Sequence, residues 1–143
     1  LMHRVRWLRR IHRLHHRSVV PTPFTSYAFD AGEAAVQAAS LPLFLVLVPM
    51  HPSAILLFTG HMMLRNAVAH CGYELFPASR TGRPLIGWLT TVTHHDLHHA
   101  RAGSNFGFYF TWWDRLMGTE DPAYPEAFAR VTSRSRSQLA PKI

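Results

Sequence analysis

The chain has 143 residues, enough for one domain and short for two. Its 15 Lys and Arg against 8 Asp and Glu leave a formal charge of +7, and 14 of the 15 bases are Arg, so anionic partners are favoured, whether nucleic acid or lipid headgroups. A single cysteine, Cys71, excludes an internal disulfide and points to no oxidising compartment.

From Leu1 to about Ser18 there is no Pro or Gly, and the segment reads as a basic helix with six Arg between Arg4 and Arg17. Opening at Leu1 inside a helical pattern, the chain reads as a fragment with its beginning missing. Pro21 and Pro23 mark a loop. Ala34 to Leu64 then gives thirty-one consecutive residues without Asp, Glu, Lys or Arg, bounded by Glu33 and Arg65. A membrane-spanning helix needs about 20 apolar residues. Pro49 and Pro52 divide the stretch into two legs of a hairpin at about 31–76, whose second leg runs as helix through His70 to Phe76. The alternative is a buried hairpin in a soluble protein, since each leg is short for a bilayer. Both flanks are basic, with Arg80, Arg83, Arg101 and Arg115 on the far side, which puts both hairpin ends on the cytoplasmic face.

After a turn-rich connection at 77–85, a short helix is expected over His94 to Ala100 and is ended by Gly103, and an aromatic segment leads to Thr119. Residues 120–143 form a polar basic tail, expected to be solvated. The expected class is all-α: an integral-membrane helical hairpin with cytoplasmic helices.

Those helices carry a repeated pattern, His-x-x-His-His, once at His12, His15 and His16 and again at His95, His98 and His99. Positions i, i+3 and i+4 of a helix share one face, so each triplet presents three imidazoles together. Six such ligands exceed the needs of one tetrahedral ion and suit two metals. Imidazole accepts Fe, Cu, Ni and Zn alike, so the residues leave the metal open. The zinc-protease pattern His-Glu-x-x-His is absent.

"HRLHH", "NAVAHCGYE" and "HDLHHARAGSNFGFYFTWWDRLMGT" resemble, in order and spacing, the histidine motifs of the fatty acid hydroxylase and sterol desaturase superfamily, integral-membrane non-haem di-iron enzymes. The resemblance runs from about Leu1 to Thr119. "LMH" is similar to the end of an earlier motif, which makes His3 its second histidine and puts the first upstream of Leu1, along with further membrane helices; a chain without them need not be active by itself. The resemblance implies a metal shell of His3, His12, His15, His16, His70, His95, His98 and His99, with two iron ions as cofactor and dioxygen as co-substrate. It also implies a lipid substrate (sterol, fatty acyl or carotenoid-like), an external cytochrome b5-like or ferredoxin-like electron donor, and hydroxylation or desaturation within lipid biosynthesis.

His94 is a further candidate ligand, although a neighbour in sequence points elsewhere on a helix. Asn66 and Glu74, four residues before and after His70, are candidates to orient its ring. His51 and His61 read as structural. Asp96 and Asp114 can pair with Arg101 or Arg115 or face the site. Tyr109, Phe110, Trp112 and Trp113 fit an aromatic belt at a membrane surface better than a substrate tunnel. The competing function is a non-catalytic His-rich membrane protein that binds zinc or copper. A nucleic-acid role rests on charge alone and does not explain the uncharged stretch, so none is expected.

Overall fold

Arg6 with Arg10, and Arg9 with Arg13, are like charges one helical turn apart with no acid nearby, an arrangement that weakens a helix. In the computed structural model, which describes residues 2–139, the N-terminal helix is accordingly short: α1 covers Arg6–His12. A 3₁₀ turn at His15–Arg17 follows, so the continuous helix expected to Ser18 does not form. That break places His3 and the triplet on three separate pieces of backbone.

The uncharged stretch forms the two expected legs. Asp30 caps α2 (Ala31–Leu47) by accepting from the Gly32 N–H at 2.9 Å. His51 caps α3 (Pro52–Ala69) by accepting from Ser53 N–H, with Pro52 in the first helical position where its missing N–H costs nothing. The second leg does not run on to Phe76. It stops at Ala69, and Gly72 at φ 74 turns the chain away. No helix among the described residues is long and apolar enough to cross a membrane.

Thr91 caps α4 (Val92–Arg101), its Oγ1 accepting from His94 N–H at 3.2 Å. This helix ends at Ala102, a non-glycine residue at φ 52, one position before the glycine expected to stop it. A short α5 (Trp112–Met117) closes on Gly118 at φ 65, and α6 covers Tyr124–Leu139. The segment expected to be a solvated tail is thus helical over that range. Tyr124, Ala127 and Phe128, spaced i, i+3, i+4, are buried and pack α6 on α4. The described residues form no β-strand, and two isolated bridges, Ala78 with Pro84 and Leu89 with Phe110, brace the connections around α4.

α1 packs on α2, α3 on α4 and α4 on α6, whereas α2 and α3 do not pack along each other's length. The interior is polar: His15, His70, His94, His95, His98, His99, Asn105 and Asp114 are all buried. The outer faces of the legs are apolar, with Val46 and Leu47 each 80% exposed and Leu56 and Leu57 each 74%. Polar inside and apolar outside is the reverse of the usual arrangement in water.

Candidate metal centre

Three segments bring their histidines together: the turn and α1 at the N-terminus, the end of α3, and α4. His3, His12, His16 and His98 form one group, and His15, His70 and His99 a second; within each, one ring nitrogen per residue lies within 4.8 Å of the others. Each triplet therefore divides between the two groups. His95 belongs to neither, but its Nε2 is 3.1 Å from His70 Nε2.

Backbone carbonyls fix how these rings point. A carbonyl oxygen only accepts, so the proton of a ring nitrogen beside it must sit on that nitrogen. His70 Nδ1 donates to Asn66 O at 2.8 Å, His98 Nδ1 to Ser104 O at 2.7 Å and His99 Nδ1 to Ser18 O at 3.2 Å. The Nε2 atoms of all three then carry lone pairs. His70 Nε2 faces His99 Nε2 at 3.1 Å, two acceptors turned on each other, which only a cation or proton between them stabilises. Adjacent nitrogens around one ion, each at about 2.1 Å, stand roughly 3.0–3.4 Å apart, so the spacing fits a shared transition metal. The buried Nδ1 atoms of His15 and His16 lack hydrogen-bond partners altogether.

Burial holds these imidazoles neutral, the form that ligates. It lowers His15 to about 3, with His70 adding to the effect, His99 to about 2, with His15 adding, and His16 to about 4, with His98 adding. His95 and His98 move the same way for the same first reason.

His94 turns away. It is fully buried, its ring meets Tyr124 edge-on at 4.9 Å, and neither ring nitrogen has a hydrogen-bond partner, with Asp114 Oδ2 lying 3.8 Å from Nε2. Asn66 reaches His70 through its backbone oxygen, while its side chain donates to Ser26 O at 2.9 Å. Glu74, beyond the end of α3, binds Thr93 N–H at 2.8 Å and Thr93 Oγ1 at 2.6 Å and so anchors the start of α4. Neither acid beside the second triplet pairs with an arginine: Arg101 takes Asp121 at 2.6 Å and Arg115 takes Glu120 at 3.0 Å. Asp114 instead accepts from Phe106 N–H, Gly107 N–H and Thr119 Oγ1. His51 is the α3 cap, and His61 stacks on Tyr109.

Six of the eight clustered histidines, all but His16 and His99, open on a cavity of about 670 Å³ whose other lining includes Tyr27, Phe29, Met62, Met63, Phe106 and Phe108. Phe106 and Phe108, which sequence reasoning passed over, meet His98 and His95 at ring distances of 5.6 and 5.3 Å. Trp112 and Trp113 are about half exposed and lie outside this cavity. Glu33 was also missed. It is fully buried, accepts from His12 Nδ1 at 2.6 Å, and had no signal beyond being the acid nearest the uncharged stretch.

Described residues that form helices and no strand, and that gather eight imidazoles of which six line one apolar-walled cavity, have the architecture of a histidine-rich metal site. The chain belongs to the fatty acid hydroxylase family, which matches residues 1–119. Among curated relatives, it is 37% identical over 125 residues to a cholesterol 25-hydroxylase of Rattus norvegicus, covering 83% of this chain and 40% of that one. It is 30% identical over 116 residues to a Delta(7)-sterol 5(6)-desaturase of Gibberella zeae (81% and 34% covered). A methylsterol monooxygenase 1 of Rattus norvegicus is 28% identical over 139 residues (94% and 46%). The chain thus spans less than half the length of each of these relatives. No solved structure matches significantly.

Proposed function

We propose that the chain carries the metal site of a membrane-bound, oxygen-dependent oxidoreductase that hydroxylates or desaturates a lipid. The observation that carries this reading is the pair of histidine groups opening on an apolar cavity of about 670 Å³. Cleaving an unactivated C–H bond is beyond side-chain acids and bases; two non-haem irons, with dioxygen and electrons from an external donor, would supply the oxidising power. His3, His12, His16 and His98 are the ligands proposed for one ion and His15, His70 and His99 for the other, with His95 beside His70 completing the set. His94 stays outside it because its ring lies against Tyr124 and Asp114.

The other residues bind and shield. Phe106, Phe108, Met62 and Met63 give a lipid an apolar wall within reach of the imidazoles and keep water from it. Arg65 donates to the carbonyls of Thr90 and Phe108, and its guanidinium lies 5.7 Å from the Phe108 ring centre, so it ties the aromatic loop to α3. Relatives named for sterol hydroxylation and desaturation support a sterol-like substrate.

The two legs enter the bilayer as a hairpin. At 17 and 18 residues they are about 26 and 27 Å long, just under the roughly 30 Å hydrocarbon core, and their exposed faces are apolar. The basic flanks keep the histidine cluster on the cytoplasmic side.

The test is metal analysis of the purified protein with Mössbauer spectroscopy for coupled iron, together with oxygen uptake and product analysis on candidate sterols and acyl lipids. Two irons per chain and an oxidised lipid are expected. One zinc per chain without oxygen consumption would refute the reading in favour of a non-catalytic metal binder.

A further inference from the structure

Eight neutral imidazoles around two divalent ions would leave about four positive charges in a poorly solvated site, a cost that some nearby anion has to offset. Among the residues lining the cavity, Glu33 is the single acid. Of the other fully buried carboxylates, Asp114 holds backbone N–H groups and Asp121 holds Arg101, while half-buried Asp96 on α4, one oxygen of which has no partner, lies outside the cavity lining.

Glu33 is the third residue of α2, where a glutamate ordinarily folds back on the N-cap backbone N–H of its own helix. Here it reaches across to α1. Gly32 permits the approach, because a Cβ at that position would stand 3.2 Å from the Ile11 side chain. Oε1 accepts from His12 Nδ1 at 2.6 Å and from Gln37 Nε2 at 3.1 Å. A carboxylate oxygen only accepts, so the His12 proton sits on Nδ1 and its Nε2 carries the lone pair, 3.1 Å from His16 Nε2. Glu33 Oε2 is buried without a hydrogen-bond partner, so no donor offsets the charge on that oxygen.

From this geometry we infer that Glu33 is a positioning residue for one metal ion only, the ion held by His3, His12, His16 and His98. It fixes the His12 tautomer and supplies that group's negative charge. Among the described residues no carboxylate hydrogen-bonds a ring of the second group, where the carbonyls of Asn66 and Ser18 orient His70 and His99. The two ions are therefore held with unequal support, and Glu33 governs one of them. The inference rests on the di-metal reading above.

Its test is titration of the metal-free protein with ferrous iron under anaerobic conditions, for wild type, Glu33→Gln, Glu33→Ala and Gln37→Ala, with far-UV circular dichroism as the folding check. A carboxylate behind a ligating histidine governs affinity by about 10–100-fold. Glu33→Gln keeps an acceptor and loses the charge, so one of two equivalents is expected to weaken by that factor while the other binds as in wild type. Glu33→Ala weakens the same equivalent at least as much, and Gln37→Ala, which removes one donor to Oε1 but leaves the carboxylate, weakens it less than Glu33→Gln does. Folded Glu33→Gln and Glu33→Ala that bind both equivalents with wild-type affinity would overturn the inference. So would loss of both together, or a Gln37→Ala effect equal to that of Glu33→Gln. Wild-type protein binding fewer than two equivalents is a separate outcome that would sink the di-metal reading and this inference with it.

Discussion

Acidifying the metal-free protein should unfold it, because the histidine cluster is folded in its neutral form. Burial, reinforced by neighbouring imidazoles, holds His15 at about 3 and His99 at about 2, and burial holds His94 at about 4 against the opposing pull of Asp114. In the unfolded chain each returns to about 6.5. Between those limits the unfolded state binds protons that the folded state refuses, so stability is fully present above about pH 6.5 and is lost as pH falls from there towards the folded values. At pH 5.5 each of these three nearly inaccessible residues costs about 1.4 kcal/mol, and together they cost about 4 kcal/mol. A domain of this size has only about 5–15 kcal/mol in total. His95 and His98 act in the same direction. The measurement is the denaturant midpoint of the metal-free protein in detergent from pH 7.5 to 5. Bound metal should move the loss to lower pH, since ligation needs the neutral ring. A metal-free midpoint that is flat or rises as pH falls would refute the reasoning.

Gly107→Ala should be destabilising by about 1–3 kcal/mol, because its Cβ would stand 2.5 Å from Phe110 O and 2.7 Å from Asp114 Oδ2; thermal melting reports it. Asp114→Ala strands the part-buried N–H groups of Phe106 and Gly107 and the Thr119 hydroxyl, should cost about 1–3 kcal/mol in all, and should lower both the melting temperature and the metal content. Phe128→Ala, at a fully buried position of the α4–α6 contact, should cost about 3–5 kcal/mol in urea unfolding. Wild-type melting for any of the three would contradict the packing described.

How far the sequence reveals the site depends on where the supporting atoms lie. The second triplet was legible because Thr91 caps a helix that sets His95, His98 and His99 on one face, and the helical period predicts that face. The first triplet was harder, since the α-helix ends between His12 and His15 and the 3₁₀ turn carries His15 and His16 on by another path. A continuous helix would have put His3 opposite His12, yet their rings stand 4.7 Å apart because residues before Arg6 are a turn. Helix α6 was missed for a different reason. Arg and Ser dominate its sequence, and the apolar contact that docks it is confined to Tyr124, Ala127 and Phe128 at its start. Glu33 belongs to a third kind, a helix-start residue by local pattern whose partner lies 21 positions away on another helix.

The contrast between Glu33 and the carbonyls explains which parts of the cluster substitution can probe. His70, His98 and His99 are oriented by the backbone oxygens of Asn66, Ser104 and Ser18, and no side-chain replacement removes a carbonyl. These contacts are invisible in a residue pattern and resistant to alanine. They persist only while the backbone keeps its course, which at Ser104 depends on the left-handed residues Ala102 at φ 52 and Asn105 at φ 55 on either side. Asn105 is held there from both ends, its amide donating to His94 O at 3.0 Å and its oxygen accepting from Asp121 N–H at 2.7 Å. That gives buried His94 a part in the site through its backbone, although its ring faces away. Sensitivity around the second triplet should therefore concentrate at positions that shape the chain, while around the first it concentrates in one carboxylate.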